Sequence, residues 1–146
     1  MPAVREILIG RRADDHVLLG VRGRLFPADQ DEDPLWLWTS LTVRLGGFSA
    51  QLEGGVRADE LRGLRTGIEA LYDRSATVAT LATEDGWLTV ELTAPEAADT
   101  VDVELRIHDQ DTPSNELRGT LSELSRESLV AAIESLIDVE RAYPVA

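Results

Sequence analysis

The chain has 146 residues, 43% hydrophobic and 28% charged, a composition that suits one soluble globular domain and excludes a disordered chain. It has no cysteine, and all 14 basic residues are arginine, which excludes disulfides, thiol nucleophiles, cysteine-based metal sites, a Walker-A lysine and a Schiff-base lysine. Most of the net charge of −13 falls in residues 84–146, where 4 arginines face 15 carboxylates, so no basic stripe is available for nucleic acid or an anionic membrane.

The first ten residues hold only Ile7-Leu8-Ile9 as an apolar run, too short for a secretory signal, and the expected location is the cytoplasm. Val4 to Ile9 is a plausible first strand. Val17, Leu19, Val21 and Leu25 then alternate with Arg22 and Arg24, the period-two pattern of a half-buried strand. Next comes an acidic stretch, Asp29 to Asp33 before Pro34, followed by Leu35-Trp36-Leu37-Trp38. Leu35, Leu37, Leu41, Val43 and Leu45 share one face with Thr39 as the polar interruption, and Trp36 and Trp38 point to the other. Gly46-Gly47 is a tight hairpin signal. Phe48, Ala50, Leu52 and Val56 continue the apolar side of the next strand.

The period changes to helical over Asp59 to Arg74, where Leu61, Leu64, Ile68, Leu71 and Tyr72 form one stripe. Asp59 and Glu60 at the start and Arg74 at the end suit the helix dipole. Gly63 and Gly67 suggest close backbone packing. Ala76 to Thr83 and Trp87 to Thr93 return to strands, separated by the turn Glu84-Asp85-Gly86. From Thr100 to Asp109, Val101, Val103, Leu105 and Ile107 face inward while Asp102, Glu104, Arg106 and His108 face out. Leu117, Gly119 and Leu121 predict a last strand. Ser125 is a good N-cap for a final helix over about 126–141, with Leu129, Val130, Ile133, Leu136 and Ile137 buried. The expected fold is α+β: an antiparallel sheet of about eight strands with two main helices, in the order ββββαββββα. The expected core includes Leu19, Leu37, Val43, Phe48, Leu61, Ile68, Val90, Val103, Leu105, Leu129, Ile133 and Leu136.

Little in the sequence points to catalysis. His16 and His108 lack neighbours at metal-ligand spacing, and no serine sits in a Gly-x-Ser-x-Gly elbow. Asp109, Asp111 and Asn115 bracket a loop, but without the spacing, glycine and terminal glutamate of an EF-hand. No metal and no cofactor are expected. The clearest interaction candidates are Asp31 and Asp33 beside Trp36 and Trp38, because tryptophan is enriched at protein interfaces. The same two tryptophans read first as buried beneath a helix on the second sheet face. Glu91, Asp102 and Glu104 form a second group: if their strands pair, like charges gather on one face, where a basic partner would relieve them.

Several short segments together resemble the WapI-type immunity proteins, a bacterial family. They are Asp33-Pro34-Leu35-Trp36-Leu37, Leu41-Thr42-Val43, Gly46-Gly47-Phe48, Asp59-Glu60-Leu61, Leu81 through Leu88, Asn115-Glu116-Leu117 and Tyr143-Pro144. The resemblance implies a protein that neutralises a cognate polymorphic toxin, while the missing catalytic residues point to a non-enzymatic protein and the acidic charge to a basic partner, such as a toxin domain. Two other functions remain open from the residues themselves. One is a small-molecule-binding domain or hydrolase, with Arg22, Arg24 and Asp109 lining a pocket assembled in space. The other is a structural subunit whose tryptophan face forms a homodimer.

Overall fold

A computed structural model describes residues 4–26 and 35–145. The elements run β1 (Arg5–Gly10), β2 (His16–Arg24), β3 (Trp36–Leu45), β4 (Phe48–Arg57), α1 (Ala58–Tyr72), β5 (Val78–Ala82), β6 (Leu88–Thr93), β7 (Thr100–His108), β8 (Glu116–Ser125) and α2 (Leu129–Ala142). The expected order ββββαββββα is present, and its eight strands divide into two antiparallel meanders. Sheet 1 is β1-β2-β3-β4 and sheet 2 is β5-β6-β7-β8.

Local chemistry explains the turns. Leu45 pairs with Phe48, so Gly46-Gly47 is a two-residue connection, and Gly46 takes φ +61°, a conformation costly for a residue with a Cβ. At the start of α1 the Arg57 backbone N–H donates to Glu60 Oε1 at 2.8 Å, which supplies one orphan donor of the first turn with an acceptor. Burial holds the Glu60 carboxyl above the usual carboxylate range, against the opposing effect of its backbone hydrogen bonds. Ser125 caps as expected, its hydroxyl accepting from the Ser128 N–H at 3.2 Å, but the turn it caps is a short 3-10 helix (Arg126–Ser128) ahead of α2.

The inner faces of both sheets share one core with both helices. α1 lies along β5, α2 lies along β1, and the helices pack against each other, so together they cover the edge strands β1 and β5. The salt bridge Arg65 Nε–Glu140 Oε2, 2.6 Å, ties the helices together. β8 crosses the end of sheet 1. A Cβ on Gly119 would strike the Leu45 side chain, and one on Gly10 would meet Leu121 Cδ2 at 3.1 Å.

Four details depart from the sequence expectations. Phe48 is 72% exposed rather than core, because it follows the hairpin turn where no second layer reaches it. The buried stripe of α2 is Leu129, Ala132, Leu136 and Val139, which leaves Val130, Ile133 and Ile137 half-buried on its flank. Gly67 does mark close packing, since a Cβ there would sit 3.0 Å from that of Ala79, but Gly63 has nothing near it. Arg74 lies beyond the end of α1 at φ +68°, and its guanidinium bonds Glu96 O, Ala98 O and Asp99 instead of the helix terminus.

Candidate functional site

The outer face of sheet 2 brings together the carboxylates singled out on β6 and β7. Glu91 stands directly opposite Glu104, and Thr93 stands opposite Asp102. Neither Glu91 nor Glu104 has an ion-pair partner among the described residues. Like charges directly opposed on one face weaken a strand pair. Asp102 is occupied differently: its Oδ1 accepts the Glu123 N–H at 2.9 Å, where a bulge in β8 puts Glu123 at φ +58°.

One step along β7 the sign changes. Arg106 stands opposite Arg118 of β8, a second like-charged pair. Glu116 sits between them, with Oε1 at 3.2 Å from Arg106 Nε and 3.1 Å from Arg118 Nε. His108 Nε2 lies 3.5 Å from the same oxygen. A shallow depression of about 400 Å³ runs over this face, lined by Thr89, Glu91, Glu104, Arg106, Arg118 and Thr120. The outward acidic residues were legible from alternation, their pairing only conditionally. The basic pair was not, because the opposition of Arg106 and Arg118 exists only once the β7–β8 register is known.

The tryptophans lie on the outer face of sheet 1, and no helix among the described residues covers them, contrary to the first expectation. Both helices pack at the β1 and β5 edges instead. Trp38 is 44% exposed, with the Arg22 guanidinium 5.9 Å from its ring centroid. Trp36 is half-buried over Gly55, with Arg57 at 5.6 Å. Asp31 and Asp33 lie outside the described residues. Because the inner faces share one core, the two outer faces look away from each other. Trp36 and Trp38 therefore belong to a different surface from Glu91, Asp102 and Glu104.

A cleft of about 1030 Å³ opens between the β3–β4 ribbon and residues 107–117. Arg22 and Asp109 line it, as expected for a pocket, together with Ser40, Gln51, Glu53 and Glu116. Arg24 does not; it lies 5.5 Å from the centroid of the Tyr143 ring. Gln110 Nε2 donates to Glu53 O at 2.6 Å and pins the β7–β8 loop to β4. Asp109 Oδ1 accepts the Asp111 N–H and Asn115 N–H reaches Thr112 O, so these side chains and amides build turns. No group of three potential metal ligands occurs among the described residues. His16 Nδ1 contacts Asp14 O and His108 Nδ1 contacts Pro113 O, so neither histidine bonds a serine among the described residues. The cleft thus offers polar contacts without an assembled nucleophile and base.

Two structural side chains were missed in the sequence. Trp87 is 2% exposed and donates from Nε1 to Gly55 O at 3.0 Å, filling the space left by Gly54. Arg126 is buried among backbone carbonyls. No described helix is long and apolar enough to cross a membrane.

Among curated proteins none matches the chain. A solved structure described as that of Trypanosoma bruciei MRP1/MRP2 aligns with 99% of this chain and 88% of that one, at 11% identity and a TM-score of 0.49. The immunity protein WapI-like family matches residues 7–144, nearly the whole length, and the chain belongs to that family.

Proposed function

We propose that this chain, a single α+β domain, is a non-enzymatic immunity protein that binds a cognate bacterial toxin and neutralises it. Family membership supports a toxin-neutralising role in general. The finer claim is that the toxin domain is basic and docks on the outer face of sheet 2 through Glu91, Asp102 and Glu104. The observation that carries it is the Glu91–Glu104 pair, two opposed carboxylates with no counter-ion among the described residues. Such a pair costs the fold stability, and a cationic partner removes that cost on binding. Carboxylates on an exposed face also steer a basic partner and speed the encounter. Trp38, exposed on the opposite surface, is a second contact point for a toxin large enough to wrap around the sheets.

The test uses the toxin domain of any toxin-like protein found encoded next to this chain's gene. Expressed alone in a bacterial host it should arrest growth, and co-expression of this chain should restore growth and yield a stable one-to-one complex. Continued arrest, with both proteins present and soluble, refutes the proposal.

A further inference from the structure

The outer face of sheet 2 carries two like-charged pairs of opposite sign, side by side. Glu91 and Glu104 form one, and Arg106 and Arg118 form the other, offset by one step along β7 and one strand across the sheet. We propose that this face pairs with the same face of a second copy of the chain. A two-fold axis lying in the plane of the interface and passing between Glu104 and Arg106 turns the acidic pair of one copy onto the basic pair of the other. By symmetry the reverse contact forms at the same time, which is the requirement for an isologous interface. Both halves of the complementarity are therefore present in one chain.

The side chains are suited to such a contact. Glu91 and Glu104 have no ion-pair partner among the described residues. Arg106 and Arg118 each come within 3.2 Å of Glu116 Oε1 through Nε, and a guanidinium carries five N–H donors, more than one carboxylate oxygen can use, so each has donors for a carboxylate from outside. Thr89 and Thr120 beside them are short, so they do not hold the two faces apart. The contact is polar and open to solvent, so the dimer is weak and salt-sensitive. If the toxin also uses Glu91 and Glu104, the second copy and the toxin compete for them.

The experiment uses this chain alone, so its failure leaves the toxin proposal standing, and failure of toxin binding leaves this one standing. Light scattering on concentrated protein should give a mass rising toward twice the monomer value at low salt, and returning to the monomer value at roughly 0.5 M salt. The variants E91R/E104R and R106E/R118E should each remain monomeric, the first with positive charge at all four paired positions and the second with negative charge at all four. Mixed one to one, they should form a heterodimer of twice the monomer mass. Circular dichroism checks that each is folded, and the milder pair E91Q/E104Q replaces a variant that is not. A wild-type chain that stays monomeric at low salt overturns the proposal, as does a mixture of the two folded variants that shows no association.

Discussion

Arg126 offers the sharpest test of how the fold is held together. The residue is 5% exposed and its guanidinium donates to backbone carbonyls: Nε to Ala98 O at 3.0 Å, Nη2 to Pro95 O at 2.9 Å, and Nη1 to Leu71 O. It thereby joins the end of α1, the β6–β7 loop and the start of the last helical segment. Replacement by methionine keeps the apolar stem and removes every donor. If the carbonyls were left orphaned, each would cost about 1–3 kcal/mol. They are not, because Ala98 O keeps Arg74 Nη1 at 3.0 Å, Pro95 O keeps the Ala98 N–H and Leu71 O keeps the Arg74 N–H. The loss reduces to the charge-assisted bonds themselves, partly offset by no longer burying a cation, and comes to about 2 kcal/mol. For a chain of this size that lowers Tm by about 4–8 °C. Urea and thermal unfolding measure it. Adding Arg74→Met strips Ala98 O of both side-chain donors, so the double variant should lose more than the sum of the singles, by about 1 kcal/mol. A single variant as stable as wild type, or strict additivity, would show that the guanidinium does not hold these segments.

Three further outcomes follow from the packing. Trp87→Phe should cost about 1–3 kcal/mol in urea unfolding, because Gly55 O loses its buried donor, whereas Trp38→Phe should leave stability unchanged and remove most of the iodide-quenchable tryptophan fluorescence. Gly63→Ala should stabilise α1 by up to about 1 kcal/mol, since nothing lies near its Cβ, but Gly67→Leu should destabilise because β5 is already in contact; equal effects at both positions would contradict the helix placement. Glu60 has its folded pKa raised by burial, so the stability tied to its protonated form is present below about pH 4.5. That stability is lost as pH rises through the folded value. Glu60→Gln, which still accepts from the Arg57 N–H, should therefore gain on wild type between pH 4 and pH 7 in urea melts. A difference constant across that range would show that the carboxyl does not titrate as its burial requires.

The strands were most legible where one face is wet. On β7 the buried positions Val101, Val103, Leu105 and Ile107 alternate without exception with Asp102, Glu104 and Arg106. Alternation assigns a face but not the extent of the layer that covers it, so Phe48 was placed in the core though nothing reaches the hairpin end. It equally cannot say where helices dock: Trp36 and Trp38 were read as covered, yet α1 and α2 close the edges of the sheets rather than their outer faces. Trp87 lies opposite in parity to Leu88, so alternation gives it no place in the core, while the space it fills is made by Gly54, more than thirty residues earlier. Arg126 gave no local signal, because a charged residue after a capping serine reads as surface. For the candidate site, the acidic residues of β6 and β7 could be named from period alone. Their opposition at Glu91 and Glu104, and the neighbouring Arg106–Arg118 pair, depend on register across strands and needed the structure.

The central claim is that a basic toxin is recognised by the carboxylates on the outer face of sheet 2. Its most direct test is stopped-flow measurement of association between this chain and a toxin domain that it neutralises in the growth assay, across a salt series. Wild-type association should be fast at low salt and slow steeply as the screening length falls to about 8 Å at physiological ionic strength. Reversal of Glu91, Asp102 and Glu104 to arginine should slow it at low salt and flatten the salt dependence, with Tm monitored to confirm that the fold persists. An association rate and salt slope equal to wild type in the folded triple variant would contradict the claim.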